Sequence, residues 1–154
     1  MSTPTPEVWF YHLERSSLDQ VLPDLLDKTL KRGWRALVRT GDRDRVDQLD
    51  SWLWSYRDET FLPHGVADEP FAEHQPVLLT TAQDNPNGAH ALFLIDGADA
   101  GEDLSAHERC IVLFDGRDPA ALGDARAKWK TFKARGLPVS YWQQGEERGW
   151  EKKA

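Results

Sequence analysis

Cysteine is nearly missing from this chain of 154 residues: Cys110 stands alone. That excludes a disulfide framework and any zinc site built from cysteines. Long apolar runs are missing too. No stretch approaches the ~20 apolar residues of a membrane-spanning helix. Residues 1–10 (MSTPTPEVWF) have neither the basic start nor the apolar core of a secretory signal. Lysine and arginine are absent from Asp58 to Glu108. Disorder is excluded by what is present: the chain is 40% hydrophobic and holds 7 Trp. A chain of this length buries roughly 68–70% of its unfolded surface and folds without staples. The expectation is a soluble, cytoplasmic, single-domain protein over residues 1–154, with about 141–154 as a C-terminal tail.

Charge is unevenly placed. The formal net charge is −7, yet the stretch from Arg126 to the end carries eight basic residues against three acidic ones. Residues 1–125 carry 11 basic against 23 acidic. An acidic body repels nucleic acid and anionic membrane. A basic C-terminal stretch on such a body suits either a local anionic partner or a plain solvated helix face.

Hydrophobic spacing predicts the elements. Glu7–Leu13 reads as a strand. Ser17 with Gln20 forms a capping box for a helix through Leu22, Leu25, Leu26 and Leu30, ended by Gly33, with Pro23 as its awkward residue. Trp34–Arg39 is a second strand. Asp42 caps a helix over Arg43–Ser55. Phe61–Gly65 is a short extended segment and Val66–Gln75 a surface loop. Pro76–Ala82, Ala89–Ile95 and Arg109–Phe114 are strands, the last nearly all apolar, as in a buried central strand. Asp118-Pro119 starts a last helix that runs to Arg135, with Gly136 after it. The order β-α-β-α-β-β-β-β-α predicts one α/β domain, with a mixed, mostly parallel sheet and helices on both faces.

That architecture invites a nucleotide, and the turns answer the invitation. The first βα turn, His12 to Ser17, has no glycine, so the backbone cannot approach a pyrophosphate. No GxxxxGK[ST] loop is present, and Thr40-Gly41-Asp42 ends in an acid. The five histidines show no ligand spacing, so neither a metal nor a cofactor is expected. Cys110 sits in an apolar strand and reads as a buried, inert thiol. The acidic loop Asp96–Asp103 does not have EF-hand spacing and reads as solvated. No catalytic constellation emerges, and the chain is not read as an enzyme.

The last helix differs. Leu122, Ala125, Trp129 and Phe132 form an apolar stripe, and Arg126, Lys130 and Lys133 form a basic stripe beside it. An aromatic next to paired cations suits a carboxylate attached to an apolar group. The same row suits nucleic-acid phosphates, and the residues alone do not choose between the two.

The chain resembles the chi subunit family of bacterial DNA polymerase III. The resemblance runs through Phe10-Tyr11-His12-Leu13, Arg32-Gly33-Trp34-Arg35-Ala36-Leu37-Val38, Asp47–Trp54, Glu59–His64 and Arg126–Gly136. It implies a Rossmann-like α/β fold without a phosphate-binding loop and a non-catalytic replication adaptor. Such an adaptor binds the acidic, Phe-terminated C-terminal tail of single-stranded DNA-binding protein. It joins the clamp-loader complex through a psi subunit and meets nucleic acid only indirectly, at the replisome. The resemblance puts Arg126 at the terminal carboxylate of the tail. Trp129 and Lys130 line the same pocket, and Trp54 borders the phenylalanine ring. Lys133 joins from the stripe. Trp129 replaces the tyrosine usual in the family, and Leu122 is apolar where a further cation is plausible. The alternative is direct binding of single-stranded nucleic acid by the basic helix, with Trp129 and Trp54 as stacking platforms.

Overall fold

The computed structural model describes residues 6–55, 63–67, 69–101, 104, 106–145 and 150–154. Its elements are β1 (Glu7–Leu13), α1 (Leu18–Lys31), β2 (Ala36–Arg39), α2 (Arg43–Ser55), β3 (Gly65–Val66), β4 (Val77–Thr80), β5 (Ala91–Leu94), β6 (Arg109–Asp115), α3 (Pro119–Ala134), β7 (Val139–Gln144) and β8 (Trp150–Lys152). The strands form one sheet in the order β3-β4-β2-β5-β6-β1-β7-β8. Among the described residues only β7 and β8 pair antiparallel.

Chain direction decides where the helices go. From β1, α1 leads to β2 and α2 leads on to β3, both toward one edge. From β6, α3 leads past β1 to β7, toward the other edge. Right-handed crossovers running in opposite directions put their helices on opposite faces. The packing agrees. Leu22, Leu25 and Leu26 of α1 and Val46, Leu49 and Leu53 of α2 share one core with Tyr11, Leu13, Val38, Leu79, Phe93 and Leu113. Ala125 and Phe132 of α3 share the other with Val8, Phe10, Leu37, Leu92, Cys110 and Val112. Successive strand residues feed alternate cores, as the pleat requires. The expected mixed, mostly parallel sheet with helices on both faces is present.

Local chemistry explains the helix starts. Ser17 Oγ accepts from the Gln20 amide while the Gln20 side chain accepts from the Ser17 amide, which completes the box. Asp118 caps α3 through the Ala120 amide at 3.0 Å. Pro23 lies inside α1 without a break. It has no N–H to give the Asp19 carbonyl one turn earlier. Trp52 of α2 supplies the donor, its Nε1–H reaching that carbonyl at 2.7 Å. A defect in one helix therefore becomes a tie to its neighbour.

Two expectations change. The segment after Tyr141 is not a tail: Val139–Gln144 is a sheet strand parallel to β1, and Trp150–Lys152 pairs back on it. Val-Ser-Tyr-Trp carries strand-forming residues, but glutamines and charges follow them, which hid the pattern. Val66–Gln75 is not simply loop, since Val66 is buried in β3 and Ala72–His74 makes a 3-10 turn. Residues 61 and 62 of the expected extended segment lie outside the described residues.

Replacing Trp52 with Phe strands the Asp19 carbonyl and is expected to cost about 1–3 kcal/mol in urea unfolding. In a Pro23→Ala background, which restores an in-helix N–H, the loss should shrink. Equal losses in both backgrounds would contradict the tie.

Candidate functional site

The last helix sorts its cations by flank. On the flank facing the loop at 97–101, Lys128 pairs with Asp124 and the Arg135 guanidinium donates to the Gly101 carbonyl. On the flank facing β7 stand Arg126, Lys130 and Lys133, all exposed. Among the described residues none of these three is in an ion pair. Between the two flanks, Ala125 and Phe132 anchor the helix in the core. Trp129 lies partly buried at the edge of the β7 flank. Its ring meets Phe10 edge-on at 5.4 Å and Tyr141 edge-on at 5.8 Å, between centroids. Lys133 Nζ lies 5.2 Å from its centroid, within cation–π range. The structure thus brings Arg126, Trp129, Lys130 and Lys133 together as a basic shelf with an aromatic floor.

Trp54 does not join them. It is 58% exposed near the end of α2. Its ring lies 4.7 Å from that of His64, whose Nε2 is 3.1 Å from Asp50 Oδ1. The core contacts of α2 are on the face opposite α3. Trp54 therefore cannot border a ligand ring seated on Trp129. Nor can the two tryptophans form one stacking track for a nucleic-acid strand, because the sheet separates them.

The crevice where open α/β sheets usually hold ligands is built differently. Neighbouring crossovers diverge between β1 and β6, and the space beyond their carboxyl ends is the expected position. A cavity of about 620 Å³ lies here, lined by the N-termini of α1 and α3. Its charged lining is Asp19, Asp96, Asp115, Asp118 and Asp124 against Arg45 and Lys128. Arg45 is committed to Asp19 and Asp96 at 2.6 and 2.7 Å, and Lys128 to Asp124. Such a lining repels phosphate.

The loop after β1 is closed as well. The amides of Glu14, Arg15 and Ser16 converge, as a phosphate-cradling loop would make them. All three donate to Gln144 Oε1, at 3.1, 2.8 and 3.0 Å. Gln144 Nε2 then donates to Ser16 Oγ at 2.8 Å. A side chain of β7 fills the place of an anion. Sequence reading found the missing glycines but not this plug, because β7 was not recognised as a strand.

The remaining singled-out residues have structural duties. Cys110 is fully buried, and burial pushes its thiol up to about 12. The acidic loop is tied down rather than simply solvated. The guanidinium of Arg39, itself 2% exposed, donates to the carbonyls of Ala82, Asp99 and Ala100, and Asp96 takes Arg45. Residues 102 and 103 of that loop lie outside the described residues. From a buried position His107 donates its Nδ1–H to the Ala89 carbonyl at 2.9 Å, which requires that tautomer. Among the described residues no group of His, Cys, Asp and Glu could hold a metal ion. No helix among them is long and apolar enough to cross a membrane.

These features define a doubly wound α/β domain whose crevice is acidic, whose loop after β1 is filled by Gln144, and whose last helix carries exposed cations along one flank. The C-terminal domain of the DEAD-box protein Dbp5 has a similar fold, with a TM-score of 0.52 at 15% identity over 90% of this chain and 91% of that one. The family model "DNA polymerase III chi subunit, HolC" matches residues 5–140, and the chain belongs to that family. It is 28% identical over 120 residues to the DNA polymerase III subunit chi of Pseudomonas aeruginosa, covering 78% of this chain and 82% of that protein. It is also 28% identical over 111 residues to the probable DNA polymerase III subunit chi of Rickettsia prowazekii, covering 68% and 67%. The family is a non-catalytic accessory subunit of DNA polymerase III, which places the chain in DNA replication.

Gln144→Ala leaves three amides without their acceptor and is expected to destabilise the fold by about 1–3 kcal/mol in denaturant unfolding. Unchanged stability would mean that water replaces the plug at no cost.

Proposed function

We propose that this member of the chi family links the clamp loader to single-stranded DNA-binding protein by holding the acidic, Phe-terminated tail of that protein on the α3 shelf. The observation that carries the reading is the row of exposed cations beside Trp129 that form no ion pair with a described residue, on a chain of net charge −7. Arg126 takes the terminal carboxylate, since a guanidinium offers two parallel donors. Trp129 gives the phenylalanine ring an apolar face against which to lie edge-on or offset. Lys130 and Lys133 meet the acidic residues that precede it. Trp54, on the other face, has no part in this contact.

Magnitudes support an exchangeable adaptor. A hydrogen bond to a charged group contributes ~1.5–3 kcal/mol, and fully burying a phenylalanine side chain adds a similar ~1.5–3. After the cost of association, affinity falls in the micromolar range. Attachment to the clamp loader through a psi-like subunit fits such a role, because a weak contact gains from being tethered near its target. Nucleic acid then enters indirectly, through the protein that coats it.

The test is calorimetric titration of a short acidic peptide ending in Phe. Micromolar binding that weakens with salt is expected. Arg126→Ala and C-terminal amidation should each weaken it at least about tenfold. No binding at high micromolar peptide, with binding of a single-stranded oligonucleotide instead, would replace this reading by direct nucleic-acid contact through the basic helix.

A further inference from the structure

Basic residues are not confined to α3. Residues 28–35, the end of α1 and the turn after it, hold Lys28, Lys31, Arg32 and Arg35 and no acid. Two of the four are committed: Lys31 pairs with Asp27, and the Arg35 guanidinium donates to the carbonyls of Glu73 and Asn87. Arg32 is exposed and stacks on Trp34, its Cζ 4.0 Å from the ring centroid. Among the described residues its guanidinium forms no ion pair and no hydrogen bond. Arg109, at the start of β6, comes to the same ring. Its Cζ lies 5.1 Å from the Trp34 centroid and 3.8 Å from that of Trp9. Sheet pairing puts it there. Arg109 stands opposite Glu7, and Trp9 follows Glu7 by two residues, so all three share the face on which α1 packs. α3 packs on the other face.

Arg109 is poorly matched by its surroundings. Its side chain is only 15% exposed, and its Nε is buried without a hydrogen-bond partner. Glu7, its ion-pair partner among the described residues, holds Oε2 3.7 Å from Nη2, beyond hydrogen-bond reach. Burial, and then the like charge of Arg32, lower its pKa from the ordinary arginine value. A half-buried guanidinium short of acceptors, with a second one beside it, is unfavourable by itself. Stacking on tryptophan offsets part of that cost and fixes the plane of each guanidinium, which leaves its N–H edge for an acceptor.

We propose that Arg32 and Arg109, held on Trp34 and Trp9, form a second anion site on the face opposite the α3 shelf, and that it takes the carboxylates of a short acidic segment of a protein partner. A guanidinium fork meets a carboxylate with two parallel hydrogen bonds, which supplies the missing acceptors. The surroundings favour carboxylates over a nucleic-acid strand. Glu108 precedes Arg109, Glu7 stands across from it, and the chain carries −7, so a row of phosphates meets repulsion on leaving the pair. The inference stands apart from the α3 reading. Together the two sites hold an acidic segment on each face, and linked segments would reinforce one another.

The probe is a short peptide of aspartates and glutamates, amidated at its C-terminus and lacking phenylalanine, titrated into the nitrogen-15-labelled full chain. Saturable movement of the Trp9 and Trp34 indole signals is expected, weaker at high salt. Arg32→Gln changes an exposed side chain and should weaken this binding about three- to tenfold, with Arg32→Lys losing less. Arg126→Ala should leave the binding at these signals unchanged, which keeps failure at one face apart from failure at the other. Silent Trp9 and Trp34 signals at millimolar peptide would overturn the proposal. So would binding that Arg32→Gln leaves untouched, or equal movement with a peptide whose acids are replaced by asparagine and glutamine. Tighter binding of a single-stranded oligothymidylate than of the peptide at the same signals would also overturn it, in favour of a nucleic-acid site.

Discussion

The central strand β1 is the constraint on which both cores depend. It is hydrogen-bonded to β6 on one side and to β7 on the other, in parallel register over most of its length. Its alternate residues feed opposite layers: Tyr11 and Leu13 go to α1 and α2, while Val8 and Phe10 go to α3. Phe10 touches Trp129, Phe132 and Tyr141. A slip of one residue in this strand would exchange the two layers and remove the support of Trp129. The position of Trp129 on α3 is therefore set by β1.

The same strand explains why the usual ligand position of the fold is unused. β1 ends in a loop whose amides converge, and β7, its parallel neighbour, returns Gln144 to fill them. Carboxylates occupy the crevice beside this loop and tie up the cations within reach. Phosphate is thereby repelled from the crevice. On the exposed flank of α3, three cations face solvent over a half-buried ring. An acidic protein with one basic shelf discriminates against long polyanions, which would meet repulsion beyond the shelf, and tolerates a short acidic segment.

Much of this was legible in the residues. The capping box at Ser17, the Asp118-Pro119 start and the apolar run through Cys110 each have a local cause, and each lies where that cause puts it. The stripe on α3 was legible because helical spacing alone brings Arg126, Trp129, Lys130 and Lys133 to one side. What was not legible depends on topology. Trp54 lies in a sequence block typical of the family, but only crossover handedness assigns α2 to the face opposite α3. Strands β7 and β8 were hidden by glutamines and charges that read as tail. With β7 went Gln144, whose role exists only once a strand beside β1 carries it there. The tie from Trp52 to the carbonyl freed by Pro23 was not legible either, because it needs two helices packed side by side.

Two-dimensional nitrogen-15 NMR of the labelled chain, recorded while the Phe-terminated acidic peptide is added, tests the central claim most directly. The shelf on α3 predicts movement of the Trp129 indole signal together with amides of α3 and β7. The Trp54 indole, on the opposite face, should stay in place. Movement centred on Trp54 and α2, with α3 silent, would contradict the account.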